Sequence, residues 1–206
     1  MHLKRQKIPR TWQIEKKGTK YVVRTMIKNS IPLLLVLRNM LKLAKNRRET
    51  RRILASGSIK VNNRVIKEEK YPLLLFDNIK IENENFKLVL KNKKFCLEIS
   101  KDENKISKII GKKIMKKGNV QLNLNDGRNY ISEKKDTKVN DSVVIDMKEN
   151  KIKEILPFKE KSRIIFISGK HLGEKGKIEK ISGKDIIVEL GEKKINAGKK
   201  SLMVIN

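Results

Sequence analysis

The sequence contains one cysteine in 206 residues, and it has no apolar run long enough to cross a membrane. The lone Cys96 excludes an intramolecular disulfide framework and a zinc site built from several cysteines. The longest apolar run, Ile31–Leu37, falls far short of the roughly 20 residues of a bilayer span, and no hydrophobic signal segment follows the N-terminus. These absences predict an intracellular protein of the cytoplasm.

Acidic residues are also scarce relative to basic ones. Lysine and arginine number 51 against 23 aspartates and glutamates, which gives a net charge of +28. A compact protein repels itself at such a charge unless a polyanion neutralises it, and nucleic acid is the commonest polyanion. The alternative is that a composition rich in Lys, Ile and Asn only reflects an A·T-rich genome. Aromatic residues make up 4% of the chain, fewer than a protein that stacks single-stranded bases usually has, so folded RNA is the favoured partner.

The segment Arg47–Ile66 predicts a short helix followed by a β-hairpin. At about 100° per residue, four basic side chains share one arc of the helix, opposite its apolar residues: Arg47, Arg48, Arg51 and Arg52. The adjacent Asn62 and Asn63 suit a tight hairpin turn, because asparagine tolerates positive φ. Guanidinium groups match phosphates, so this face predicts RNA contact. The alternative is a solvated face on which Glu49 partly neutralises Arg52.

The rest of the chain predicts an α+β protein that is mostly β. A basic arm comes first, with Trp12 as its packed anchor, and a first helix begins at Ser30 with an apolar face that extends to Ala44. Asn46 is a candidate cap for the second helix. Short strands separated by polar turns are expected at Leu73–Phe76, Asn78–Ile81, Phe86–Leu90, Lys94–Ile99, Val120–Leu124, Ser142–Ile145, Arg163–Ser168, Lys177–Ile181, Asp185–Leu190 and Leu202–Ile205. The segment Ile106–Lys116 fits either a helix or a strand.

These patterns divide the chain into four predicted domains. The first is the basic N-terminal arm (1–30), and the second is a helix–helix–hairpin RNA-binding module (31–93). A β-rich central domain (94–158) follows. The last domain (159–206) has short strands separated by glycines, the pattern of a small SH3-like barrel.

Two loops invite a chemical interpretation. The glycine-rich loop Gly169–Lys177 lacks the spacing of a phosphate-binding P-loop and opens no long helix, so tight turns or close approach to RNA are favoured over nucleotide binding. In the second loop, Asp126 beside Arg128 suggests a catalytic carboxylate with a charged partner. A hairpin turn at Asp126-Gly127, with polar side chains that cap the backbone, is the favoured interpretation. No nucleophile–base or paired-carboxylate arrangement can be assembled, so no catalytic residue is predicted.

Five segments occur in a specific order along the chain: His2–Trp12, Ile31–Ala44, Arg47–Ile66, Asn123–Asn129 and Ser168–Ile181. Together they make the chain resemble, almost from end to end, the archaeal and eukaryotic small-subunit ribosomal protein S-four-e family. The resemblance implies an S-four-type RNA-binding domain at 31–93 and a KOW-type barrel at 159–206. It also implies a structural, non-enzymatic protein that binds small-subunit rRNA beside neighbouring ribosomal proteins, with no cofactor, metal or small-molecule substrate.

The predicted RNA contacts lie in the arm, both helices, the hairpin and the two loops. They are Lys4, Arg5, Lys7, Arg10, Arg38, Lys42, Arg47, Arg48, Arg51, Arg52, Lys60, Asn63, Arg64, Arg128, Lys170, His171, Lys175 and Lys177. The glycines expected to shape the turns are Gly127, Gly169, Gly173 and Gly176. We expect these residues to neutralise phosphates and to recognise the shape of a folded RNA.

Two other functions remain open from the sequence. An RNA-modifying enzyme, such as a pseudouridine synthase with a similar small domain, would need a large catalytic domain with an active-site aspartate. A free-standing transcription or translation factor that uses the C-terminal barrel would need a partner-binding surface, but it would not need so high a charge throughout.

Overall fold

The structure, a computed structural model, describes residues 2–115, 119–132, 136–183, 185–191 and 193–205. It consists mostly of antiparallel strands with few helices, as the sequence predicts. The chain forms two compact units, Met1–Glu103 and Asn104–Asn206. Within the described ranges, no helix combines the length and the apolar character needed to cross a membrane.

The first unit contains the longer helices and a series of short strands. The strands are β1 (Leu3–Lys4), β2 (Tyr21–Val22), β3 (Ile31–Pro32), β4 (Ile59–Val61), β5 (Arg64–Val65), β6 (Pro72–Leu73), β7 (Asn78–Ile81), β8 (Glu84–Lys91) and β9 (Lys94–Ile99). Five of them form a sheet in the order β5-β4-β7-β8-β9, while β1 pairs with β2 and β3 pairs with β6. Strand β9 pairs with β8 along its whole length, so the first unit continues past residue 93.

The first helix is shorter than its apolar pattern predicts. Helix α1 spans Leu33–Leu35 and widens into a π-helical turn at Val36–Met40. The N–H of Leu43 then donates to the carbonyl of Leu37 at 3.0 Å, and Lys42 adopts a left-handed φ of 55°. The hydrogen bonds of the π-helical turn and the bond from Leu43 satisfy carbonyls at the helix end and turn the chain away from the helix axis. Lys42 therefore lies beyond the helix rather than on its polar face.

The predicted strand Leu73–Phe76 is mostly a turn. Only Leu73 belongs to β6, and the N–H of Leu74 donates to the Asp77 carboxylate at 2.7 Å. The N–H of Asp77 returns a hydrogen bond to the carbonyl of Leu74 at 3.1 Å, while Phe76 has a φ of 65°. The Asp77 side chain thus competes with sheet pairing for the backbone, as short polar side chains do at turns.

The second unit is built from two five-stranded antiparallel sheets. Its strands are β10 (Asn104–Ile114), β11 (Val120–Leu124), β12 (Asn129–Ser132), β13 (Ser142–Asp146), β14 (Lys151–Leu156), β15 (Arg163–Phe166), β16 (Lys175–Ser182), β17 (Asp185–Leu190), β18 (Lys193–Gly198) and β19 (Leu202–Val204). The sheet orders are β12-β11-β10-β13-β14 and β18-β17-β16-β15-β19. The ambiguous segment that begins at Ile106 is therefore a strand as far as Ile114, and Lys116 lies outside the described residues.

The two sheets of the second unit share buried apolar residues. Val144 and Leu156, from the first sheet, belong to the same core cluster as Ile164 and Val204 from the second. The N–H of Val204 also donates to the Ser142 hydroxyl at 3.1 Å. The predicted boundary between residues 158 and 159 therefore has residues of one hydrophobic core on both of its sides.

The glycines of the second unit serve two different purposes. Gly127, Gly169 and Gly173 have positive φ values of 82°, 92° and 84°, as expected for the turns predicted there. Gly176 is not part of a turn: it lies in β16, where it faces the backbone of β17. A Cβ at this position would lie 2.5 Å from the Glu189 carbonyl oxygen, so the close approach of the two strands requires a glycine.

We expect Gly176→Ala to lower the free energy of unfolding by about 1–3 kcal/mol, because the added methyl forces the two strands apart. Gly198→Ala is the matched control, since Gly198 has an ordinary negative φ and its added Cβ would meet no atom within 4 Å. Chemical denaturation of both variants measures the difference. Equal losses of stability in the two variants would contradict the close-approach explanation.

Candidate nucleic-acid interface

The basic helix begins and ends much as the sequence predicts. Helix α2 spans Arg47–Ala55, and the Asn46 side chain caps it by accepting the Glu49 N–H at 2.9 Å. The Glu49 carboxylate accepts in return from the Lys45 N–H and the Asn46 side-chain amide, both at 2.7 Å. This reciprocal arrangement satisfies donors at the helix N-terminus. Glu49 is thus engaged in the cap, whereas the alternative interpretation of this face had it partly neutralise Arg52.

One face of α2 is buried and the opposite face is basic. Thr50 and Leu54 are fully buried, and the Thr50 hydroxyl donates to the Asn46 carbonyl at 3.0 Å. The four arginines of the opposite face are all exposed: Arg47, Arg48, Arg51 and Arg52. The predicted separation into an apolar and a basic side is confirmed. We call these four side chains the arginine face.

Half of the arginine face is held by an acidic residue from another segment. The Arg47 guanidinium binds Glu69 through Nε, at 2.9 and 3.0 Å from the two carboxylate oxygens, and through a second, shorter contact. Arg51 donates to the same carboxylate at 2.9 and 3.1 Å. The Glu69 side chain is 8% exposed, whereas those of Arg47 and Arg51 are 48% and 61% exposed. Both guanidiniums therefore have fixed positions and still face solvent.

The protonation state of Glu69 follows from these contacts. The hydrogen bond from Arg47 lowers the pKa of Glu69 most, and partial burial opposes this effect. Hydrogen bonding and attraction from Arg51 add to the lowering, and the resulting pKa is about 2. Glu69 is thus ionised at any pH at which RNA is stable, and four guanidiniums oppose one carboxylate on this surface.

The hairpin after α2 has the predicted turn. Asn62 and Asn63 have φ values of 48° and 64°, and β4 pairs with β5 around them. Asn62 is buried: its side-chain oxygen accepts the Asn78 N–H at 3.0 Å and its amide donates to Asp77 at 2.8 Å. Asn63 is exposed, as are Lys60 and Arg64, which are the predicted contacts of the hairpin.

Two side chains of the basic arm, Trp12 and Arg5, hold the arm together through hydrogen bonds to other residues of the arm. The Trp12 side chain is buried, as predicted, and its indole N–H donates to the Ser30 carbonyl at 2.9 Å. Arg5, predicted to contact RNA, is a centre of hydrogen bonds within the arm. Its guanidinium donates to the carbonyls of Glu15 and Thr19, both at 2.8 Å, and to the Thr19 hydroxyl at 3.0 Å. Lys4, Lys7 and Arg10, the other predicted contacts of the arm, are exposed.

A cleft of about 1220 Å³ in the first unit brings together basic side chains that are distant in sequence. Arg5, Arg38 and Arg47, all predicted to contact RNA, line it. The sequence did not single out two further cations of the cleft, Arg24 and Lys70. Nothing in the spacing of these residues distinguishes them from the other lysines and arginines of so basic a chain. Their proximity depends on the return of the arm after β1.

In the second unit, Asp126 has a structural role. Its carboxylate accepts the Arg128 N–H at 3.0 Å across the turn and binds the Lys105 ammonium at 2.7 Å. The side chains of Lys105 and Asp126 are each only 2% exposed. Arg128 is half-buried, with its Nε 4.0 Å from the same carboxylate. The interpretation of Asp126 as a turn cap is confirmed, and its buried partner Lys105 was not predicted.

The predicted C-terminal contacts occupy a turn and the strand after it. Lys170 and His171 lie in the turn, where the His171 ring contacts Phe166 and its Nδ1 lies 2.8 Å from the Glu174 carboxylate. Lys175 and Lys177 belong to β16 and are exposed. Lys170, Lys175 and Lys177 are thus exposed cations in a turn and a strand, and this segment has no helix N-terminus of the kind that a nucleotide-binding loop uses.

The sequence and the structure match known ribosomal proteins. The S4 domain family matches residues 31–79, which include α1, α2 and the hairpin, and the ribosomal family S4e matches residues 82–152. Small ribosomal subunit protein eS4 of Methanocella arvoryzae is 36% identical over 189 residues, which cover 87% of this chain and 80% of that protein. The corresponding protein of Methanocaldococcus jannaschii is 35% identical over 207 residues, with coverages of 92% and 84%. The crystal structure of the 30S ribosomal protein S4e from Thermoplasma acidophilum superposes with a TM-score of 0.75 at 29% identity, covering 87% of this chain and 96% of that one.

Proposed function

Because the chain belongs to the ribosomal protein S4e family, we propose that it is a structural constituent of the small ribosomal subunit in the cytoplasm, where it binds rRNA and supports subunit assembly and translation. Its partners are small-subunit rRNA and neighbouring ribosomal proteins. The arginine face carries this proposal, since it lies within the match to the RNA-binding S4 domain. It offers planar donors that fit phosphate oxygens.

We assign the RNA contacts to four segments. These are the arm (1–30), an S4-type RNA-binding segment (31–93), a β-rich central segment (94–158) and a KOW-type SH3-like barrel (159–206). The predicted contact residues of each segment would neutralise phosphates, and the combined shape of the segments would select the folded RNA. The five antiparallel strands β15–β19 support the barrel assignment. The role is structural rather than enzymatic, as membership of a ribosomal protein family indicates, and Asp126, the candidate catalytic carboxylate, caps a turn.

Sedimentation tests the proposed function directly. Cell lysate is fractionated over sucrose gradients at moderate and at high salt, and the protein is located with an antibody. We expect it to sediment with small subunits at both salt concentrations. A protein that remains at the top of the gradient at every salt concentration would overturn the proposal.

Substitutions on α2 separate binding from folding. We expect the double variant Arg48→Gln/Arg52→Gln to keep its stability and to flatten the dependence of log affinity on log salt concentration by about 0.7–0.9 per lost phosphate contact. Arg47→Gln/Arg51→Gln should weaken rRNA binding and also lower stability, because it removes both partners of the buried Glu69 carboxylate. Filter binding across a salt series and thermal unfolding provide the two measurements.

The control for these variants is Lys93→Gln/Lys101→Gln, which removes the same charge from exposed sites outside the predicted interface. It should change the salt dependence less than the Arg48 and Arg52 substitutions do. If the slope for the Arg48→Gln/Arg52→Gln variant equals that of the unsubstituted protein, this face does not contact RNA.

A further inference from the structure

The cleft of the first unit has the chemistry of a nucleotide site. Five cations line it: Arg5, Arg24, Arg38, Arg47 and Lys70. Glu68 is the acidic side chain among the lining residues that the structure describes. Such an excess of positive charge in a concave site attracts phosphate. Its volume of about 1220 Å³ exceeds the roughly 300–1000 Å³ of usual ligand pockets, so a nucleotide and its flanking phosphates would fit.

The apolar part of the cleft suits the face of a base. Tyr71 belongs to its lining and is partly exposed, whereas Leu34 and Leu35, also in the lining, are each 1% exposed and contribute little accessible surface. At the rim, Tyr21 is 49% exposed and Met26 is 98% exposed. An aromatic ring and a flexible thioether offer sequence-tolerant contact to the π face of a base. Without a ligand, these two side chains present apolar surface to water.

Two of the guanidiniums in the cleft are positioned before any ligand arrives. Arg5 is held by Glu15 and Thr19, and Arg47 is held by Glu69. Groups that are already ordered lose less conformational freedom on binding. A phosphate entering the cleft would therefore meet donors fixed from two sides, one from the arm and one from α2.

We propose that this cleft receives one unpaired nucleotide that is turned out of a folded rRNA, with the base against Tyr71, Tyr21 and Met26 and the adjacent phosphates against the arginines. This inference rests on the proposed function and adds a specific site to it. The arginine face clamps the backbone of the RNA, whereas the cleft selects a position at which a base is free to leave the stack. Aromatic stacking of splayed bases is the usual way in which proteins read unpaired RNA.

The test compares two double variants within the same stretch of the arm, each of which lowers the net charge by three. Arg24→Glu/Met26→Asp alters two exposed residues that line the cleft. Lys28→Glu/Asn29→Asp changes the net charge equally at exposed positions that are not among the lining residues, and aspartate tolerates the φ of 56° at position 29. Full-length proteins are bound to small-subunit rRNA, and base-specific and ribose-specific chemical probing is read at every nucleotide.

We expect the unsubstituted protein to protect an isolated unpaired base that is reactive in free rRNA. The cleft variant should lose this protection and bind at least tenfold more weakly, while the control variant keeps the protection and loses less affinity. The inference is overturned if no such base is protected, if the cleft variant still protects it, or if both variants lose it equally. Failure of the unsubstituted protein to bind rRNA at all would instead overturn the proposed function.

Discussion

Replacing Asp126 with asparagine is expected to lower the free energy of unfolding by about 3–5 kcal/mol. The carboxylate and the Lys105 ammonium are each 2% exposed and lie 2.7 Å apart. Asparagine retains an oxygen that can accept the Arg128 N–H, but it removes the negative charge that compensates Lys105. A buried charge that loses its counter-ion is among the most destabilising changes in a folded protein.

Two further variants identify the cause of the loss. Lys105→Met/Asp126→Asn removes both charges and should recover much of the stability, because an apolar side chain is tolerated where a buried ammonium that has lost its counter-ion is not. Glu179→Gln breaks the ion pair with Lys194, whose side chain is 64% exposed, and should change stability little because solvent screens that pair. Denaturant unfolding measures all three. If the double variant is no more stable than Asp126→Asn, loss of charge compensation is not the reason.

The pH dependence of this buried pair has a definite sign. Burial alone would raise the pKa of Asp126, but the charge and hydrogen bond of Lys105, together with the Arg128 N–H, outweigh it and hold the pKa below its usual 3.8. The pair therefore contributes stability above the unfolded-state pKa of about 3.8. This contribution disappears as the pH falls through the lower folded-state pKa.

Local signals in the sequence predict the elements that depend on local chemistry. Asn62 and Asn63 specify a turn because few other residues accept positive φ at two successive positions, and Asn46 specifies the start of α2 because its side chain caps the helix. Strands β7, β9, β11 and β17 match their predicted bounds, since they carry alternating or continuous apolar residues. These elements can be predicted because the residues that specify them are neighbours in the sequence.

The strands that sequence reasoning missed in the second unit are edge strands. β12 and β14 lie at the two ends of one sheet, and β18 lies at the end of the other. An edge strand needs little apolar surface and often carries charges that prevent pairing with other chains, so its pattern resembles a polar loop. Hydrogen bonds to a neighbouring strand define these elements, and that neighbour is not visible in their own residues.

Glu69 was missed for a related reason. It follows Glu68 and lies between Lys67 and Lys70, so the local sequence reads as a mixed, solvated charge run. Only the pairing of β3 with β6 and the position of α2 bring its carboxylate to Arg47 and Arg51, 22 and 18 residues earlier. Long-range ion pairs of this kind depend on tertiary placement, which composition and periodicity do not encode.

The second large effect concerns Lys108, a lysine that is 3% exposed between the two sheets of the second unit. Its ammonium donates to the carbonyls of Lys199 at 2.6 Å and Leu202 at 2.7 Å. Burial lowers the pKa of Lys108 from 10.5 to about 8. Below pH 8 the ammonium is charged in both the folded and the unfolded chain, so the unfavourable burial of the charge is fully present.

Between pH 8 and 10.5 the folded protein has released this proton while the unfolded chain retains it, so the free energy of unfolding should rise by about 3 kcal/mol. Above that range Lys108 is neutral in both states and contributes no further change. Other lysines titrate here too, so the measured quantity is the difference in unfolding free energy between the unsubstituted protein and Lys108→Met at each pH. That difference should shift in favour of the unsubstituted protein as the pH rises. NMR titration of the lysine side chains gives the pKa of Lys108 directly, and a value near 10.5 would contradict the expectation even if the variant did not fold.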